Sequence, residues 1–292
     1  MAKQAAKKSK QNRRKRGRRL WLPALLLALP LCLLCRMSAG AQLVHLCPAE
    51  VYLEDLPAAF DGARVLFVSD LNIQGAADGA HSAALFKKLA TLSPDLLLLG
   101  GDYVRSEDPD GAQAFFEALA AFEAPLGKFA VAGEADENTS SLGTALGSAG
   151  VALLTDACAT MERGGEALII AGLSDVSRNE TPYADLGRAF SGDECVLVLS
   201  HNPSAYVGVR VAEARGGGAW ADLVLAGHNL GGQIRLFGRT MRTLPPEEAR
   251  CLAGWFYEGD LPMLVSQGVR CPGLPLRMGS RSEVWLLTLR RA

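Results

Sequence analysis

The sequence predicts an α/β domain behind a single N-terminal apolar helix, and three features carry that prediction. Short runs rich in Val and Leu recur along the chain and end in Gly, Ser or a charged residue; runs of about four to six residues suit buried strands. Between the first of them lie stretches with apolar residues at helical spacing. Ahead of both stands an uncharged apolar segment bounded by arginines.

The N-terminus reads as an address. Residues 1–36 hold eleven Lys and Arg and no acid. Residues 1–19 form a basic tail, expected to stay cytoplasmic under the positive-inside rule. Residues 20–36 form a transmembrane anchor or signal segment, in which Leu20 to Cys35 is free of charge. A helix over that run spans roughly 24 Å, short of a ~30 Å hydrocarbon core. Snorkelling arginines, or continuation past Arg36, can make up the difference. Ala39-Gly40-Ala41 also fits a signal-peptide cleavage site. Uncleaved anchor and cleaved signal both place the domain on the extracytoplasmic side.

Residues 37–63 are expected to be a linker or leader, and residues 64–292 the domain. Strands are expected at Arg64–Ser69, Leu96–Leu99, Lys128–Ala132, Cys195–Leu199 and Leu223–Ala226, with helices at Ala80–Leu92 and Ala112–Phe122. That βαβα order argues for layered α/β architecture. The second half is richer in strand, at Val151–Leu154, Ala167–Ala171, Met263–Ser266 and Val284–Leu289.

Charge and cysteine use narrow the function. Removing residues 1–36 leaves nineteen bases against 31 acids, a net charge of −12. An acidic body disfavours binding along a phosphate backbone, so no nucleic-acid partner is expected. Outside the apolar segment Cys47, Cys158, Cys195, Cys251 and Cys271 are odd in number and show no CxxC spacing, which points to free thiols.

The chemistry gathers at strand ends. The expected strands run into Asp70, Asp102, Glu134 with Asp136, His201 and His228 in turn. One Asp after a strand is a common helix cap. Five strand ends carrying Asp, Glu and His converge on one site if the strands share a sheet edge, where ligands of α/β sheets bind. Mixed carboxylate and imidazole donors suit Mn²⁺, Zn²⁺ or Fe.

The blocks Ser69-Asp70-Leu71-Asn72, Gly101-Asp102, Gly133-Glu134-Ala135-Asp136, Ser200-His201-Asn202-Pro203 and Gly227-His228-Asn229-Leu230-Gly231-Gly232-Gln233 resemble, in order, those of the calcineurin-like metallophosphoesterases. The likeness is to their membrane-anchored bacterial branch and extends from about Arg64 to Leu289. It implies two packed mixed β-sheets flanked by helices. It also implies a two-metal site for phosphoester hydrolysis, from which this sequence departs. Asn72 stands where the family has a histidine ligand, Glu134 and Ala135 replace an Asn-His pair, and Leu230 replaces a second histidine. By the resemblance Asp102, Glu134, His201 and His228 would hold one divalent transition metal. Asp70 and Asn72 would hold a weak second ion or position water.

Two readings follow. One is an enzyme that hydrolyses phosphomonoesters or phosphodiesters slowly with one metal, on a substrate that is lipid- or envelope-derived. The other is a catalytically silent pseudo-phosphoesterase that binds a metal, a phosphate or a partner. Oligomeric state is not legible in the sequence.

Overall fold

The computed structural model describes residues 26–105, 111–136, 141–174 and 183–292. Its first element is a helix, α1, over residues 26–42. The basic tail 1–19 and the opening of the expected 20–36 span lie outside the described residues. Among the described residues no helix is long and apolar enough to cross a membrane. Leu26, Leu27, Leu29, Leu31, Leu33 and Leu34 of α1 are exposed, whereas Met37 and Ala41 at its end are buried against the domain.

The domain has four layers, as the resemblance implies. One sheet runs β1 (Val44–Leu53), β14 (Ser282–Arg291), β2 (Arg64–Val68), β3 (Leu96–Leu99), β4 (Lys128–Ala130), β5 (Ala152–Leu153). Its β2, β3, β4 and β5 are mutually parallel, and β14 pairs antiparallel with β2. The second sheet runs β12 (Gly254–Glu258), β13 (Leu261–Val265), β9 (Leu223–Ala226), β8 (Val196–Leu199), β7 (Glu166–Gly172), β6 (Ala157–Arg163). Its β13, β9, β8 and β7 are parallel, closed by antiparallel β12 and β6.

Alternation along each strand builds these layers. Val65 and Phe67 join Leu96, Leu98, Leu197, Leu199, Leu223 and Leu225 in the core between the sheets. Leu66 and Val68 point the other way. There they meet Phe86 of α2 (Ala76–Ala90) with Phe115 and Leu119 of α3 (Gln113–Ala120). Beyond the second sheet, Val198 and Val224 meet Tyr206 and Val209 of α6 (Ala205–Val211). A strand buried on both faces must be apolar at every position. That is why β3 reads Leu-Leu-Leu-Leu with all four residues buried.

The expected leader requires correction. Residues 44–53 form β1, paired in parallel with β14 over ten positions, so the fold begins well before residue 64. As an edge strand it is only partly buried, and its mixed composition hid it. The described strand β4 also stops at Ala130, short of the expected Ala132, because the chain turns there into the site.

Asp222 at the foot of β9 accepts the Val196 N–H at 2.7 Å. Burial, and then the neighbouring Asp55, push its carboxyl from 3.8 to about 6 against the opposing Val196 amide. Such a group stabilises the fold fully below its unfolded pKa, and that contribution is lost as pH rises through about 6. Asp222→Asn keeps the acceptor and removes the charge. Urea denaturation should find it more stable than wild type by about 2–3 kcal/mol at pH 8 and equal to it near pH 4. A variant weakened at pH 8 overturns this account.

Candidate metal centre

The parallel strands of both sheets deliver their C-terminal ends to one place. The Asp70 N–H bonds to Gly101 O at 2.9 Å, Val269 N–H to Ser69 O at 3.1 Å, and Gly227 N–H to His201 O at 2.9 Å. These links lace the loops after β2, β3, β8 and β9 together. The backbone is strained at this junction. Asp70, Asn72, Asp102, His228 and Leu230 have φ of 55°, 44°, 58°, 69° and 52°. Left-handed conformations cost non-glycine residues on the order of 1 kcal/mol or more each, and persist where surroundings and function hold them.

Asp70, Asp102 and His201 offer ligand atoms that all lie within 4.8 Å of one another, and all three residues are buried. The His201 Nδ1–H donates to Gly100 O at 2.7 Å, which turns Nε2 toward Asp102 Oδ1 at 3.5 Å and His228 Nδ1 at 3.3 Å. His228 in turn places Nε2 3.4 Å from Glu248 Oε2. That carboxylate selects the Nε2–H tautomer and leaves the Nδ1 lone pair facing His201. Two ring nitrogens at this separation share a proton or a cation. With metal–nitrogen bonds of about 2.0–2.1 Å, the edge of a tetrahedron is about 3.3–3.4 Å. The observed separations fit that edge.

Asp70 adds a second sign of fit. Its Oδ1 is buried with no hydrogen-bond partner, while Oδ2 accepts the His228 N–H at 3.3 Å. Burial raises its carboxyl, opposed by His201 and reinforced by Asp102. Asp102 goes the other way. Burial alone would raise it, but His201, the Ala135 N–H and Arg105 outweigh burial and hold it low. An anionic Asp102 beside an orphaned carboxylate oxygen and two oriented imidazoles makes a cation site.

Of the residues expected at the site, Asp70, Asp102, His201 and His228 come together. Glu134 is exposed and is not among the groups that converge. Its block contributes main chain instead: the Ala135 N–H donates to Asp102 Oδ1 at 3.0 Å. The turn is set by Asp136, whose carboxylate accepts N–H groups of Asp102 at 2.7 Å, Gly133 at 2.9 Å and Tyr103 at 2.9 Å. Burial pushes Asp136 to about 6 in spite of the Gly133 and Tyr103 bonds. Asn72 sits at the site with both side-chain amide atoms engaged by other protein groups. Its Nδ2 donates to Arg270 O at 3.2 Å and its Oδ1 accepts from Arg105 Nε.

Two functional residues escaped the sequence reading. Arg105 lies three residues past Asp102 and bonds its Oδ2 through Nη2 at 2.7 Å. Glu248 lies in α7 (Pro246–Arg250), where an acid near a helix start ordinarily means a favourable helix dipole. Asn202 Nδ2 donates to Glu248 Oε1 at 3.2 Å, and Asn229 Nδ2 donates to the carbonyls of Glu248 and Cys251 at 3.1 and 2.8 Å. The asparagines after each histidine therefore seat α7 so that Glu248 reaches His228. Partners of ligating histidines typically contribute ten- to hundredfold in metal affinity. Glu248→Gln is expected to weaken Zn²⁺ binding in calorimetric titration by about that factor; unchanged affinity would remove Glu248 from the centre.

Comparison with known proteins agrees with the geometry. The family model for calcineurin-like phosphoesterase matches residues 63–231. The Escherichia coli (strain K12) phosphodiesterase YaeI is 28% identical over 273 residues, covering 86% of this chain and 93% of that protein. The Bos taurus transmembrane protein with metallophosphoesterase domain is 27% identical over 271 residues, covering 87% of this chain. The chain spans 59% of the length of that relative. UDP-2,3-diacylglucosamine pyrophosphatase LpxG of Chlamydia trachomatis is 34% identical over 91 residues, covering 29% of this chain and 27% of its own. With more than half its length matched, strand-end motifs in family order and a four-layer fold to carry them, the chain belongs to the calcineurin-like phosphoesterase family.

Proposed function

We propose that the protein is a membrane-anchored phosphoesterase that hydrolyses a phosphomonoester or phosphodiester with one divalent metal, its domain on the extracytoplasmic side. The observation that carries the reading is the cluster of His201 Nε2 and His228 Nδ1, 3.3 Å apart, beside Asp102 and the orphaned Asp70 Oδ1. Asp70, Asp102, His201 and His228 would hold the ion, with Mn²⁺, Zn²⁺ or Fe suited to the donors. When bound, the metal supplies Lewis acidity to a phosphoryl oxygen and an acidified water. The protein's own part is to fix the donors. Gly100 O and Glu248 hold the imidazoles oriented, Asp136 sets the turn, and the Ala135 N–H holds Asp102.

The setting of α1 supports the anchor. Arg277 N–H donates to Met37 O at 3.1 Å, and Ser282 Oγ donates to Ala41 O at 2.9 Å. Ala41 packs with Leu230 and Cys271, so the helix end is stitched beside the metal centre. The next chain segment, Met278, pairs with Gln233 and Arg235, at the root of a hairpin of β10 (Arg235–Leu236) and β11 (Arg239–Thr240). Phe237 at its tip is fully exposed, and Leu274 and Met241 nearby are exposed as well. Apolar tips among arginines on the side from which an apolar helix departs suit a bilayer surface. A lipid- or envelope-derived phosphoester is the substrate class that fits this placement. The name of the Chlamydia relative, a diacylated sugar-nucleotide pyrophosphatase, points the same way.

A second reading, a pseudo-phosphoesterase that binds metal or phosphate without turnover, is favoured by the exposed Glu134 together with Ala135 and Leu230, which leave family positions without donors. One experiment separates them. The full chain in detergent is analysed for bound metal and assayed on bis-p-nitrophenyl phosphate with Mn²⁺, with Asp102→Ala as control. Turnover lost in the control supports the enzyme. Metal without turnover supports the binding module, and absence of both sinks the metal centre itself.

A further inference from the structure

A guanidinium stands where the family's second metal would need its ligands. Arg105 forks across two acceptors. Its Nη2 donates to Asp102 Oδ2 at 2.7 Å, and its Nε donates to Asn72 Oδ1. With Asp70 taken by the first ion, those two oxygens are the donors that the altered motifs retain for a second, since Leu230 offers none. Asp102 thus divides its carboxylate. Oδ1 faces His201 and the Ala135 N–H, and Oδ2 faces Arg105. Two cations on one carboxylate is the arrangement of a bridged pair of metals, here with one of them organic.

We infer that Arg105 is the resident cation of the second subsite, which makes the centre mononuclear by construction. The guanidinium brings a positive charge, and its planar fork suits two oxygen acceptors. A divalent ion must displace it to bind there. Electrostatics alone oppose that entry, because the incoming charge meets Arg105 across a buried carboxylate. The substitutions at Asn72 and Leu230 then belong with Arg105: an imidazole at either position would serve an ion that no longer enters.

This assignment rests on the proposed metal centre, and the two fail separately. The full chain is loaded with Mn²⁺ at rising concentration. Bound metal is counted by elemental analysis, and spin coupling between ions is read by electron paramagnetic resonance. Wild type is expected to saturate at one ion per chain with an uncoupled signal, even in millimolar Mn²⁺. Arg105→Ala, and the double variant Arg105→Ala/Asn72→His that restores a nitrogen donor, are expected to take up a second ion; in the double variant the two ions are coupled. Asn72→His alone should remain at one. Two ions in the wild type, or one ion in the double variant, overturns the role of Arg105. No bound ion in the wild type overturns the metal centre on which it depends.

Discussion

Saturating the protein with Mn²⁺ or Zn²⁺ is expected to raise its unfolding temperature by about 10 °C, and His201→Ala to abolish the rise. A ligand that binds only the folded state, present at about a thousand times its dissociation constant, adds about 4 kcal/mol. Chains of about 150–250 residues gain roughly 2–4 °C per kcal/mol. The metal-free fold has reason to respond. Asp70 is buried with an oxygen that no protein group bonds, and His201 Nε2 and His228 Nδ1 stand 3.3 Å apart beside it. An ion would bond all three. His201→Ala also leaves Gly100 O without its donor and opens a cavity, so the variant starts from a lower melting temperature. The decisive quantity is therefore the difference with and without metal, read by scanning fluorimetry in both proteins. Lowering the pH should shrink the wild-type increment: Asp70, held high chiefly by burial, and the imidazoles take up protons that compete with the ion. A wild-type melting temperature indifferent to both metals would contradict the whole reading of the site.

Strands buried on both faces declared themselves in the sequence, because such strands have no choice but to be apolar throughout. Leu96–Leu99 and Leu223–Ala226 were placed to the residue. The edge strand Val44–Leu53 was not, since a half-exposed edge admits Pro48 and Glu50 and so resembles a linker. The same division holds at the site. Asp70, Asp102, His201 and His228 were legible because each closes an apolar run, and chain direction alone sends those ends to one rim. Glu134 also closes such a run, yet its loop turns back around Asp136 and gives the Ala135 N–H to Asp102. Nothing in local pattern separates a carboxylate that points into the centre from one that stays exposed. Arg105 and Glu248 were hidden for a related reason. Each acts on a partner brought to it by tertiary structure: Arg105 on Asn72 33 residues away, Glu248 on Asn202 46 residues away.

A glycine after β3 holds His201 in place at this centre. Gly101 has φ +89°, and a Cβ there would lie 2.6 Å from His201 Nδ1 and 2.8 Å from the backbone nitrogen of Gly133. Backbone cannot yield cheaply, so His201 must move, and its bond to Gly100 O moves with it. Gly101→Ala is expected to cost about 2–5 kcal/mol: roughly 1–2 from the left-handed backbone and about 1–3 from overpacking. Gly217 provides the comparison. Its φ is +86°, but a Cβ meets nothing within 4 Å, so Gly217→Ala carries only the backbone cost of about 1–2 kcal/mol. Urea denaturation of the two variants isolates the steric part, and metal titration reads its consequence. Gly101→Ala should lose metal affinity at least tenfold through the displaced imidazole, the scale expected when a ligand's orienting partner is lost. Gly217→Ala should bind as wild type does. Equal stabilities for the two variants would mean that the loop after β3 has room to spare, and that the approach of Gly101 to His201 does not set the geometry of the centre.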